Sequence, residues 1–205
     1  MDGYITLLRR SVFEFEDKKS RFIGEAMPVS TEAEALAFIE GIKKKFPDAT
    51  HHVYAYVLRE NSIARFTDDR EPQGTAGMPV LDAIRKNGIV DAVVVVTRYF
   101  GGTLLGTGGL VRAYSSSALG ALKEAEIVRY DVYATVNIEV SYSDYQKIGT
   151  VFDEIGFRTD NTVYSDKVLI EGSVLAAEYE KMLQKLIEAT SGRLKCDKIR
   201  EIFSY

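Results

Sequence analysis

Two groups of residues in this 205-residue chain have the types and spacing that chemistry needs. The first is acidic: Asp68, Asp69 and Glu71 stand within four positions, and the only histidines, His51 and His52, lie just upstream. A histidine brought beside such carboxylates is equipped for general acid–base work. Carboxylate oxygens also suit a hard cation such as Mg²⁺. Strand alternation puts the two imidazoles on opposite faces, so at most one of them faces the acidic segment. The competing reading is a turn, in which Asp side chains bond backbone N–H groups, Glu71 pairs with an arginine, and the histidine is tied to the backbone. Two histidines and the single Cys196 cannot assemble a structural zinc site, so neither metal nor cofactor is expected.

The second group is built to hold an anion. Arg98, Tyr99, Gly101, Gly102, Gly106, Thr107, Gly108, Gly109 and Arg112 follow the β-branched run Val93–Val96 and lead into a helical pattern. Glycine permits positive φ and close approach, and a new helix offers free N–H groups and a partial positive charge. Gly74, Thr75 and Gly77 repeat the arrangement before Val80, Leu81 and Ile84. Thr75 and Thr107 are the expected N-caps, and Pro79 suits a first turn. Half of the 16 glycines lie between positions 74 and 109, so two helix starts built alike are expected to border one pocket. Arg98 and Arg112 are candidate anion donors and Tyr99 a stacking surface; alternatively Arg98 neutralises Asp68 or Asp69. No Gly-Lys-Ser/Thr follows the glycines, and Val111 stands where a dinucleotide fingerprint needs its third glycine. The alternative to anion binding is tight packing of the turn on the sheet.

Positioning these residues requires a mixed α/β unit. Tyr4–Phe15 and Arg21–Val29 read as strands joined at Asp17-Lys18-Lys19. A helix opens at Thr31 with Glu34 completing a capping box, and His51–Leu58 with Ile63–Phe66 read as a hairpin. A short helix to Lys86, the valine strand and a long helix to about Glu126 complete residues 1–130. Residues 131–205 have another rhythm: a strand Val132–Val140, a helix capped by Ser143 and Gln146, strands Phe157–Tyr164 and Lys167–Val174, a helix Glu178–Thr190 and a strand Arg193–Phe203. That βαββαβ order is ferredoxin-like, so the expected class is α+β with a boundary near 130.

Composition is that of a globular protein, 46% apolar and 27% charged. The lone cysteine fits a reducing compartment, no apolar run is long enough for a membrane span, and the first ten residues lack a signal-peptide layout; the expected location is cytoplasmic. Net charge is −4; residues 1–130 carry 17 Lys/Arg and 17 Asp/Glu, residues 131–205 carry 9 and 13. Bulk attraction to a polyanion is therefore missing, and phosphate binding must come from local geometry.

The segments Asp68–Pro79 and Val96–Tyr114, flanked by Lys18–Gly24 and Ala49–Tyr56, resemble the signature of the IMPACT family, including its bacterial YigZ-like members. The resemblance covers the first domain and favours His51 over His52. It implies a ribosomal-protein-like β-α fold for residues 1–130, and a C-terminal ferredoxin-like domain similar to one of elongation factor G. It also implies a link to translation, since eukaryotic members restrain the amino-acid-starvation kinase by competing for its activator, and nucleic-acid binding is the usual suggestion for bacterial members. The expectation is a non-enzymatic binding protein whose loops 68–79 and 98–112 recognise RNA, the ribosome or a protein partner in translation or stress signalling. The alternative is an enzyme on a small phosphorylated or carboxylated metabolite, using His51, Asp68, Asp69 and Glu71. A third reading is an adaptor working through the acidic second domain.

Overall fold

A computed structural model describes residues 3–205. Tyr4–Arg129 form one compact unit, and Tyr130–Tyr205 with Gly3 form the other.

The first unit is organised by the valine strand. Strand β6 (Ala92–Tyr99) lies at the centre of an antiparallel sheet of order β2-β3-β6-β4-β5, with β2 Ser11–Asp17, β3 Ser20–Pro28, β4 His51–Leu58 and β5 Ile63–Thr67. Helices cover both of its faces, which is why β6 reads as unbroken β-branched residues and not as an alternation. Helix α1 (Glu32–Lys45) sets Ala35, Phe38, Ile39 and Ile42 on Val93 and Val95. On the opposite face, α2 (Gly77–Lys86) and α3 (Thr107–Glu124) set Val80, Ile84, Leu110 and Tyr114 on Val94 and Val96. Thr31 and Glu34 make both bonds of the expected capping box. Alanines on the inner stripe of α3 let it lie close to the sheet, and Gly24 of β3 completes the fit, since a Cβ there would stand 2.6 Å from the Ser117 carbonyl oxygen.

The expected strand over Tyr4–Phe15 is two strands. Strand β1 (Tyr4–Leu7) bridges Ile5 to Ile89, after which the Leu8 and Arg9 amides donate to the Glu126 and Ala125 carbonyls and turn the chain into β2. An apolar run carries no signal for such a break, because the partners lie beyond residue 120 in sequence.

In the second unit, β7 (Ile127–Val140, in this unit from Tyr130 onward), α4 (Tyr142–Ile155), β8 (Arg158–Tyr164), β9 (Val168–Leu175), α5 (Tyr179–Thr190) and β10 (Lys195–Ser204) follow in order. The strands pair antiparallel as β8-β9-β7-β10, the ferredoxin-like arrangement. Its core is Val136, Ile138, Ile148, Ile170, Met182 and Leu186, among others. The cap of α4 is Ser141, whose hydroxyl accepts from the Asp144 amide, and not Ser143, which lies inside the first turn. Asp144 is bonded by Arg193 and Lys147, which hold its carboxyl well below the usual carboxylate range. Among the described residues no helix is long and apolar enough to cross a membrane.

Candidate functional site

The acidic segment folds into a turn that uses its own carboxylates. Asp68 Oδ1 accepts from the amides of Ala76 (3.1 Å) and Gly77 (2.8 Å), and Oδ2 accepts from Gly74 (2.9 Å). The start of α2 is thus already occupied by an anion, the protein's own. Thr75 is not the cap: the N-cap position is Ala76, and the Thr75 hydroxyl donates to the Pro72 carbonyl at 2.6 Å. Asp69 adopts positive φ (41°), accepts the His52 amide on Oδ2 at 2.6 Å, and turns its carbonyl toward His51. Asp68 and Asp69 are therefore backbone acceptors in a turn. Among the described residues no cluster of three His, Cys, Asp or Glu side chains is arranged for a metal.

Glu71 points into the protein. Its Oε1 accepts from Arg98 Nη1 at 2.5 Å and from the Tyr114 hydroxyl at 2.7 Å, and both ends of the ion pair are about 5% exposed. Arg98 therefore pairs with Glu71 and not with Asp68 or Asp69. Its Nη2 donates to Ser20 Oγ at 3.3 Å, and its guanidinium lies 5.4 Å from the Phe22 ring centre and 5.5 Å from that of Phe100. Burial and the Glu71 carboxylate push the Tyr114 phenol far up, so it stays a donor. Arg98 is buried and paired with Glu71, so it stands in the wall of the site and not on an open surface.

His51 sits at the edge of this cluster. A carbonyl can only accept, so Nδ1, 2.7 Å from the Asp69 carbonyl oxygen, carries the proton. Nε2 then faces Glu71 Oε1 at 3.7 Å, beyond hydrogen-bond distance. His52 turns the other way, to the Phe46 carbonyl at 3.0 Å, and burial lowers its pKa.

The glycine segment is packed at one end and open at the other. Gly101 rests on the turn between β2 and β3: a Cβ there would stand 2.0 Å from the Lys19 carbonyl carbon, and its amide donates to Ser20 Oγ. Gly102 and Gly106 have φ of 80° and 77°, the left-handed region that glycine tolerates. Gly106, not Thr107, is the N-cap of α3, and no side chain caps this helix. The first amide bonded back is Leu110, on the Gly106 carbonyl, so the amides of Thr107, Gly108 and Gly109 are the orphan donors of the first turn. Gly106, Thr107 and Gly108 are exposed, whereas Gly109 is buried against Leu105.

The open end borders a cleft of about 390 Å³ whose lining includes His51, Glu71, Arg98, Phe100, Leu104 and Thr107. Phe100 and Leu104 are 45% and 82% exposed. Tyr99 stands aside, its hydroxyl on Asp48 at 3.0 Å and the Arg21 guanidinium 5.8 Å from its ring centre. Lys18 and Lys19, both exposed, belong to the turn that Gly101 touches. Arg112 is exposed one turn into α3.

The structure thus gathers His51, Glu71, Arg98, Gly106 and Thr107 at one cleft. Asp68, Thr75 and Gly77 are committed to the start of α2, and Gly74 lines a separate groove between α2 and α3. Two similar open helix starts were expected; one is filled by Asp68 and one is open. Ser20, Tyr114, Phe100 and Leu104 were not among the predicted site residues. A tyrosine in the alanine stripe of α3 was the available signal for Tyr114.

Residues 18–122 match the Impact N-terminal domain, and residues 138–193 match a domain of unknown function, DUF1949. The chain is 38% identical to IMPACT family member YvyE of Bacillus subtilis (strain 168) over 194 residues, covering 94% of this chain and 89% of that one. It is 33% identical to IMPACT family member YigZ of Escherichia coli (strain K12), covering 91% and 93%. A crystal structure described only as that of a hypothetical protein aligns over 98% of both chains with a TM-score of 0.61 and 31% identity. Both motif-bearing loops fall inside the first match and the ferredoxin-like unit contains the second, so the chain belongs to the IMPACT family.

Proposed function

We propose that this chain is a non-enzymatic, translation-associated binding protein of the cytoplasm, and that its first unit holds single-stranded RNA, ribosomal RNA included, on the face formed by Lys18, Lys19, Phe100, Leu104 and the start of α3. The observation that carries this reading is the uncapped, exposed start of an 18-residue helix beside an open, largely apolar cleft. Orphan amides and the helix dipole receive a phosphate oxygen, Phe100 offers a face on which a base stacks, and the two lysines add local positive charge that the neutral unit lacks overall. The three carboxylates that an enzyme would recruit are engaged elsewhere: Asp68 and Asp69 with backbone amides, Glu71 with Arg98 and Tyr114.

Thr107→Glu tests this. Glutamate at the first helical position supplies a carboxylate to the same amides, so α3 keeps or gains stability, by about 0.3–1 kcal/mol. Fluorescence anisotropy with a labelled single-stranded RNA 12-mer at low salt is expected to show affinity reduced about tenfold or more. Affinity for the wild-type protein falls with salt, with a log–log slope of about −0.7 per phosphate contact. Absence of RNA association at low salt, or association indifferent to Thr107→Glu, overturns the reading.

One observation favours a second reading. With Nδ1–H donating to the Asp69 carbonyl, His51 turns Nε2 toward the cleft, where a neutral ring offers its lone pair in the geometry of a general base. Turnover of phosphate or carboxylate esters that disappears in His51→Gln supports it; the absence of turnover across such screens removes it.

A further inference from the structure

The cleft at the start of α3 holds unsatisfied polar groups besides the helix amides. Among its lining residues the only charged side chains are Glu71 and Arg98, and they pair with each other. The Glu71 side chain is about 5% exposed, yet only one of its oxygens is used. Oε1 takes both Arg98 and Tyr114, whereas Oε2 accepts from no described residue. His51 is tied down through Nδ1 alone, so Nε2 of the neutral ring is a free acceptor on the same wall. The cleft therefore offers unmet acceptors at His51 and Glu71 and unmet donors at the amides of Thr107 and Gly108.

We infer that His51, with Glu71 beside it, reads the 2′-hydroxyl of a ribose, so that the cleft selects RNA over DNA. The inference rests on the RNA reading above and names the side chain that makes it specific for ribose. Strand pairing supplies the position. His51 of β4 stands opposite Arg98 of β6 in register. Phe100 follows Arg98 by two residues, on the same face, and the Arg98 guanidinium lies 5.5 Å from its ring centre. Thr50 ties the row together: its amide donates to the Arg98 carbonyl at 2.9 Å, and its Oγ1 accepts the Phe100 amide at 3.1 Å. A base stacked on Phe100 sets its sugar beside His51, and its phosphate meets the open amides of α3.

The acceptors decide which group they take. Arg98 already neutralises Glu71, so an ammonium would enter the cleft without a free counter-charge. A further phosphate oxygen is itself an acceptor and finds no donor at these two atoms. A hydroxyl is neutral, donates one hydrogen bond and leaves the Glu71–Arg98 pair intact. In RNA the 2′-hydroxyl is such a donor, one sugar away from a phosphate, and it is the group by which a protein tells RNA from DNA.

Three fluorescein-labelled 12-mers of one sequence, built from adenine and cytosine so that the bases are identical, test this on the full-length protein. They are RNA, DNA and 2′-fluoro RNA, which keeps an RNA-like sugar but has no hydroxyl to donate. RNA is expected to bind about tenfold more tightly than either of the others, the worth of one hydrogen bond to a buried acceptor. In His51→Asn the shorter amide replaces the Nδ1–H donor to the Asp69 carbonyl but puts no acceptor at the position of Nε2. The RNA-to-DNA ratio is expected to fall there to within about twofold. A merely structural role for His51 would weaken both polymers alike and keep the ratio. Equal binding of RNA and DNA, still weakened by Thr107→Glu, overturns the inference and leaves the RNA face standing. A preference for RNA that 2′-fluoro RNA shares also overturns it, because sugar pucker and not the hydroxyl is then read. So does a ratio unmoved in His51→Asn. Absence of binding by all three 12-mers overturns the inference and the RNA face together.

Discussion

Arg98→Ala is expected to lower the free energy of unfolding by about 3–5 kcal/mol, because it leaves the Glu71 carboxylate buried without its cation. Glu71 would keep one donor, the Tyr114 hydroxyl at 2.7 Å, and lose the guanidinium at 2.5 Å. Ser20 would lose its contact with Nη2, and the two rings flanking the guanidinium would face a cavity. Glu71→Gln keeps the volume but puts a neutral amide against a buried cation, so it is expected to destabilise in the same direction. Chemical denaturation with an unchanged m-value measures both. A loss under about 1 kcal/mol for Arg98→Ala would mean that water reaches the pair and screens it. The same variant thereby reports on stability before it reports on any ligand, so a loss of binding in it is not evidence of a contact.

Gly101→Ala is expected to cost about 3 kcal/mol, the upper range for forcing extra volume into a packed site. The new Cβ would stand 2.0 Å from both the carbonyl carbon and the carbonyl oxygen of Lys19 and 2.5 Å from the Ser20 nitrogen, all of them backbone atoms that no rotamer change can move. Relief requires the β2–β3 turn and the 98–102 segment to separate, which breaks the Gly101 amide bond to Ser20 Oγ and moves Lys18 and Lys19 with that turn. The neighbouring Gly102→Ala is the control. Its Cβ meets nothing within 4 Å, so only the backbone strain of φ 80° remains, worth about 1 kcal/mol. Thermal unfolding should rank the two variants in that order. Equal losses would place the strain, not the packing, at the centre of this turn's requirement for glycine.

Local signals in the sequence located most of the framework, and long-range pairings account for what they missed. The Thr31–Glu34 capping box, the hairpin of β4 and β5, and the β6 valines are short-range patterns, and the helices and strands stand near where those patterns put them. The order βαββαβ was legible for the second unit because alternation and helical spacing change over distances of ten residues. The break after Leu7 was not legible, since it depends on carbonyls at residues 125 and 126. The same distinction separates the two glycine-threonine repeats. In sequence they are near twins, but Asp68 stands six to nine residues before the amides it fills, whereas nothing comparable precedes Gly106. Arg98 was readable as a partner for some carboxylate. Which one depended on the direction in which the turn at Asp69 and Arg70, both at positive φ, sends the Glu71 side chain.

That asymmetry makes the start of α3 the centre of the account, and amide chemical shifts read it directly. In a titration of ¹⁵N-labelled protein with a single-stranded RNA 12-mer at low salt, the amides of Thr107, Gly108 and Gly109 are expected to move together and saturate with Phe100. The amides of Gly74, Ala76 and Gly77, already bonded to Asp68, are expected to stay still. Movement confined to other parts of the chain, with the first turn of α3 silent at saturating RNA, would contradict the account.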